Sequence, residues 1–122
     1  MILVDTSVWI DHLRKGDSLL EGLLDHGQVL THPFVIGELA LGFLRQRKIV
    51  MNGLQNLPQA TVATDEEVLG MIDNRALHGH GIGYMDAHLL ASVALTPGIV
   101  LWTRDKRLRT TAGRLGIDAG LN

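Results

Sequence analysis

Met1-Ile-Leu-Val-Asp-Thr-Ser-Val-Trp-Ile-Asp11 is the stretch whose reading decides the fold. Ile2, Leu3 and Val4 form a short apolar run without a charge, the pattern of a strand buried on both faces of a parallel sheet. The run ends at Asp5, and a helical pattern follows over 6–14, with Asp5 or Thr6 available as its cap. Asp5 therefore lies at the carboxyl end of a central strand, where open α/β sheets place their ligands. A second run, Ile99-Val-Leu-Trp102, follows Pro97-Gly98 and leads through Thr103-Arg104 to Asp105. A basic helix over 106–115 comes next. In a parallel sheet the two strand ends share one edge, so Asp5 and Asp105 come together. Helix capping explains either residue equally well when it is taken alone.

Between these two strands the chain alternates strand and helix signals. Ser18 with Glu21 forms a capping-box pattern before a helix carrying Leu19, Leu20, Leu23 and Leu24 and ending at Gly27. Val29-Leu30 reads as a short strand, and Pro33 opens a helix over 34–44. A helix over 46–57 is closed by Pro58, and Ala60-Thr61-Val62 gives a weak strand signal. Thr64-Asp-Glu-Glu67 is a capping box, behind which Val68, Leu69, Ile72, Ala76 and Leu77 keep helical period. The loop His78-Gly-His-Gly-Ile-Gly83 precedes a helix over 84–95, and Ile117-Asp-Ala-Gly120 reads as an edge strand. This alternation implies an α/β fold with a mostly parallel sheet.

With 122 residues the chain is expected to be a single domain, residues 1–122. It has no cysteine, which excludes disulfide scaffolds and thiolate metal sites and fits a reducing cytoplasm. The formal net charge is −2, so any polyanion must be met by a local patch or a metal. The N-terminus has no basic leader, no apolar stretch reaches the roughly 20 residues of a membrane span, and no repeat is present.

Two further acids stand out. Glu38 has Phe34, Val35, Leu41 and Gly42 as helical neighbours and no polar stripe to occupy. Such a charge needs a partner, a metal or a raised pKa, unless it faces out through the gap left by Gly37 and Gly42. Asp86, in Met85-Asp-Ala-His88, occupies a first helical turn, where interaction with the positive helix end is the plainer explanation. Gathered together, Asp5, Glu38, Asp86 and Asp105 would repel one another unless a cation joined them. An all-oxygen set suits a hard ion, Mg²⁺ or Mn²⁺, held by one or two carboxylates with water and substrate phosphate.

These segments (Val4 to Asp11, the Glu38 helix, Tyr84 to His88, and Leu101 to Asp105) come in the order and spacing of a known family. The chain resembles the PIN-domain ribonucleases, and among them the VapC-like toxins of type II toxin–antitoxin pairs. The resemblance covers nearly the whole chain. It implies a three-layer sandwich, a mostly parallel sheet flanked by helices. It maps the catalytic and metal-binding acids onto Asp5, Glu38, Asp86 and Asp105, with Thr6 and Thr103 as supporting hydroxyls. An aromatic often follows the last acid in the family; Leu108 stands here, a change for packing more than chemistry. The resemblance also implies a cytoplasmic homodimer, an RNA substrate, and a cognate antitoxin covering the site. The implied reaction is metal-assisted hydrolysis of an RNA phosphodiester, leaving a 5′-phosphate and a 3′-hydroxyl. Asp5 and Asp86 are the expected direct ligands. Glu38 is expected to contact the ion through water or to position the attacking water, and Asp105 to serve a second ion or support the site from behind.

Arg104, Lys106, Arg107, Arg109 and Arg114 form a candidate phosphate-binding face, or else an ordinary solvated helix face. Two Trp, two Phe and one Tyr give no stacking platform for bases, and Trp9 and Trp102 read as core. Asp11 and Asp17 read as surface charges. His78 and His80, with His88, suggest zinc only weakly; three glycines around the first pair favour a flexible loop. A phosphoacceptor receiver domain is disfavoured because Thr6, not a second acid, follows Asp5. A non-catalytic RNA- or protein-binding module is disfavoured by the presence of all four acids, although fold alone does not decide function.

Overall fold

The computed structural model of the chain describes residues 1–122. Strand β1 (Ile2–Val4) is the centre of a three-stranded parallel sheet in the order β2-β1-β3, with β2 spanning Val29–Leu30 and β3 spanning Val100–Trp102. Ile2 lies opposite Val29 on one side and Val100 on the other, and Val4 opposite Trp102. Single bridges extend the sheet at both edges, Thr31 to Gln59 and Leu101 to Asp118. The direction of strand addition reverses at β1, which makes its carboxyl end a topological switch point.

Seven helices complete the chain: α1 (Thr6–Lys15), α2 (Ser18–Asp25), α3 (Pro33–Ala40), α4 (Arg47–Asn56), α5 (Asp65–Asn74), α6 (Tyr84–Ala94) and α7 (Lys106–Arg114). Consecutive strand residues point to opposite faces of a sheet. Leu3 and Val4 are both fully buried, as are Leu101 and Trp102, so both faces of the sheet are covered. This is the expected three-layer α/β sandwich. Trp9 and Trp102 lie in its core, packed with Leu89, Leu90 and Leu108.

Several boundaries differ from those expected. Asp17, rather than Ser18, caps α2, by accepting from Leu20 N–H at 3.0 Å. Helix α3 stops at Ala40 instead of running to Leu44, and Arg47 closes it by donating to the carbonyls of Ala40 (2.6 Å) and Gly42 (3.3 Å). Ala60-Thr61-Val62 forms no strand. The pairing falls earlier, where Thr31 N–H donates to Pro58 C=O and Ala60 N–H to Thr31 C=O. Helix α5 ends at Asn74, and Ala76 adopts a positive φ before Leu77 turns back into the core.

His32 caps α3 from a fully buried position, its Nδ1 accepting from Phe34 N–H at 3.0 Å. Burial first, and His88 second, lower its pKa to about 4. The folded value lies below the unfolded one, so the unfolded chain binds the extra proton. Stability from this group is complete above about pH 6.5 and is lost as pH falls toward 4. The shift corresponds to about 3 kcal/mol at most. We expect His32→Asn, which keeps a capping oxygen, to be less stable than wild type at pH 7 yet to show a much flatter decline toward pH 4.5. Urea unfolding across that range measures this, and parallel profiles would refute it.

Candidate active site

The carboxyl ends of β1 and β3 deliver two acids side by side. Asp5 N–H donates to Trp102 C=O at 2.9 Å, which holds Asp5 next to Thr103. Thr103 is fully buried and donates its hydroxyl to Asp5 Oδ2 at 2.8 Å. Ser7 donates to the same oxygen at 2.8 Å and accepts from Arg104 N–H at 3.0 Å. Ser7 escaped the sequence reading. A hydroxyl two residues after a capping Asp was the available signal, because such side chains bond back to nearby groups.

Capping and site-building turn out not to be alternatives. Asp5 caps α1, and Asp105 caps α7 by accepting from Arg107 N–H (3.0 Å) and Leu108 N–H (3.1 Å) through Oδ1. Asp86 accepts from Gly83 N–H through Oδ2 at 3.3 Å. Glu38 accepts from Thr6 Oγ1 through Oε1 at 2.9 Å, so Thr6 supports Glu38, whereas Thr103 supports Asp5. Glu38 is exposed rather than enclosed by apolar neighbours. It faces outward on the same helical face as Gly37 and Leu41, both exposed.

A common design emerges. Each of the four acids uses one carboxylate oxygen to fasten itself to the scaffold, and the other oxygen makes no hydrogen bond within the protein. The four also feel one another. The Asp86 carboxyl is raised above its ordinary value, first by burial and then by the charges of Asp5, Asp105 and Glu38, while the Gly83 bond opposes the rise. No cation relieves this repulsion. The protein's ion pairs are His88–Asp65, Arg104–Asp11, Arg104–Asp17 and Arg109–Asp118, none of which involves the four acids. The side chains do not close into a ready three-ligand cage. Unpaired oxygens around an uncompensated negative pocket fit a hard divalent cation, which needs only one or two protein carboxylates besides water and phosphate.

The basic set is less uniform than its sequence suggested. Arg104 is not free for phosphate: it pairs with Asp11 at 2.8 Å and with Asp17, donates to Asn122 C=O at 2.9 Å, and lies over the Trp102 ring. Asp11 and Asp17 are consequently not mere surface charges. The Arg104 guanidinium holds the Asp17 carboxyl below its usual range. Arg109 faces Asp118 at 3.6 Å, and Arg114 donates to Ala76 C=O at 3.3 Å. Lys106 and Arg107 remain, on the first turn of α7. His88 is buried and points to Asp65 at 3.0 Å, away from any shared site with the exposed His78 and His80. The zinc reading of the three histidines fails for that reason.

A family model described as the PIN domain matches residues 2–114. The chain is 52% identical over 117 residues to Ribonuclease VapC32 of Mycobacterium tuberculosis, in strains CDC 1551 / Oshkosh and ATCC 25618 / H37Rv alike. The alignment covers 96% of this chain and 94% of that relative.

Proposed function

Because the chain belongs to the PIN-domain family, we propose that it is a metal-dependent endoribonuclease acting as the toxin of a toxin–antitoxin pair. One observation carries the reading: four carboxylates at the switch point of the sheet hold one oxygen each on the scaffold, leave the other free, and have no cation partner. The high identity to a protein named Ribonuclease VapC32 supports it.

Asp5 and Asp86 would hold Mg²⁺ or Mn²⁺, with Glu38 and Asp105 completing the pocket. The ion, when bound, lowers the pKa of a coordinated water and offsets phosphate charge. The chain's own groups do the positioning. Thr103 and Ser7 fix Asp5 Oδ2 and so orient its free oxygen. Gly83 N–H orients Asp86 from the helix start. Glu38, exposed at the rim and steadied by Thr6, can accept a proton from an attacking water.

A groove of about 760 Å³ opens beside Glu38, bordered by Ile10, Leu13, Leu39, Phe43 and Val50. Phe43 is fully exposed and Leu41 is 90% exposed beside it. Apolar surface of this kind marks a protein-docking site, and its position suits an antitoxin segment that covers the acidic pocket. The proposal extends to a cytoplasmic homodimer. No helix is long and apolar enough to cross a membrane.

The test is incubation of the purified protein with total cellular RNA in millimolar Mn²⁺ or Mg²⁺, and in EDTA. Discrete fragments with 5′-phosphate ends, formed only with metal, are the expected result. Metal-independent cutting would refute the mechanism, and a well-folded protein leaving every RNA intact would refute the ribonuclease reading.

A further inference from the structure

Arg107 is the one arginine of the segment after β3 whose guanidinium makes neither an ion pair nor a hydrogen bond within the protein, yet it is not loose. Its side chain lies against Gly81 so closely that a Cβ built there would stand 2.8 Å from both Cδ and Nη1 and 3.2 Å from Cζ. Gly81 has φ +76°, a conformation side chains rarely adopt, so the loop is shaped for glycine on two independent grounds. Gly81 stands two residues before Gly83, whose N–H fastens Asp86. Arg107 itself stands two residues beyond Asp105, in the first turn of α7, and its own N–H donates to that carboxylate. Arg107 therefore joins the supports of two of the four acids, its backbone at Asp105 and its side chain against the loop that leads to Gly83. A carboxylate within reach would normally capture it, as Asp11 and Asp17 capture Arg104.

We propose that Gly81 and Arg107 form a built seat for a backbone phosphate of the RNA substrate, Gly81 by leaving room and Arg107 by presenting its planar fork of N–H donors. Arginine recognises phosphate through two parallel charge-assisted hydrogen bonds, and a guanidinium already resting on backbone loses less freedom when it does so. Lys106, the neighbouring cation, has no such seat and contributes only diffuse attraction. This inference rests on the ribonuclease reading. It adds which cation meets the substrate and why the loop carries a glycine at that position.

The experiment measures binding of a fluorescein-labelled single-stranded oligoribonucleotide, as a function of NaCl, to Asp86→Asn protein, which is expected not to consume it. Introducing Arg107→Ala should weaken binding about tenfold and lower the slope of log affinity against log salt by about one. Gly81→Ala, which leaves the arginine in the chain but unseats it, should weaken binding by a comparable factor. The two changes together should cost little more than either alone. Arg107→Ala in the otherwise wild-type enzyme should raise KM for the same oligoribonucleotide and leave kcat nearly unchanged. A purely structural arginine would move the melting temperature and leave the salt slope as it was. If wild type cleaves RNA and Arg107→Ala leaves affinity and slope unchanged, the seat is overturned and the ribonuclease reading stands. If the protein neither binds nor cleaves RNA, both fall.

Discussion

Asp86→Asn is expected to reduce RNA cleavage by more than about 100-fold, beyond what loss of an outer supporting contact costs, while the metal-free protein becomes more stable. The two effects have one cause. Burial, followed by the charges of Asp5, Asp105 and Glu38, raises the Asp86 carboxyl above its ordinary value. The folded state thus holds the proton more tightly than the unfolded chain does. Ionised Asp86 opposes folding once pH rises past that raised value, and the opposition vanishes as pH falls and the group protonates. Asparagine keeps the shape and an acceptor for Gly83 N–H without the charge. In EDTA at pH 7 the variant should melt above wild type, and the gap should narrow as pH approaches 4. Millimolar Mn²⁺ should then raise the wild-type melting temperature through binding to the native state and raise that of the variant far less. Scanning calorimetry with and without metal checks each part. A variant that cuts RNA at the wild-type rate would remove Asp86 from the site, and one melting below wild type in EDTA would remove the electrostatic account.

The parts of the molecule that can be read from residues alone are those fixed by local pattern. The strands are legible because β1 and β3 are short and apolar, and each is followed within three residues by an acid and then a helix. Periodicity and position together fix where Asp5 and Asp105 must sit. Glu38 is legible for a different reason, as a charge among apolar helical neighbours, whereas Asp86 has a local explanation at its helix start and stands out only in the company of the other three acids. The hydroxyl support is only half legible. Thr6 and Thr103 come through the family resemblance, while the local signal for Ser7, a hydroxyl two residues after a capping Asp, says nothing of its second contact, with Arg104 N–H 97 residues away. The same distance hides the fate of Arg104. Its partners Asp11 and Asp17 lie 93 and 87 residues away, and no periodic pattern links a helix after the last strand to the end of the first helix. The end of α3 is obscured in a related way. Apolar residues continue to Leu44, but Arg47 reaches back to occupy the carbonyls of Ala40 and Gly42 and closes the helix early.

Thr103→Val should show that Asp5 depends on hydroxyls rather than on its strand alone. The substitution preserves shape at a fully buried position. It removes the 2.8 Å donor to Asp5 Oδ2 and also the acceptor for Asp105 N–H at 3.1 Å. Two acids therefore lose a support through one atom. Loss of these hydrogen bonds should cost roughly 1–3 kcal/mol in stability, since Asp105 N–H is left without its acceptor and Asp5 Oδ2 keeps only Ser7. Cleavage and Mn²⁺ affinity should each fall about 10- to 100-fold, as outer supports of metal-binding groups typically do. Ser7→Ala removes the second hydroxyl on Oδ2 together with the acceptor for Arg104 N–H, but it leaves Thr103 on both Asp5 and Asp105, so its metal affinity should lie between wild type and Thr103→Val. Thr103→Ser, which returns the hydroxyl without the methyl group, should recover most of the metal affinity while staying less stable than wild type. Calorimetric titration of metal, beside urea unfolding of the same proteins, separates the two contributions. If Thr103→Val loses stability but binds Mn²⁺ as wild type does, the hydroxyl serves the fold alone, and Asp5 is oriented by its place at the end of β1.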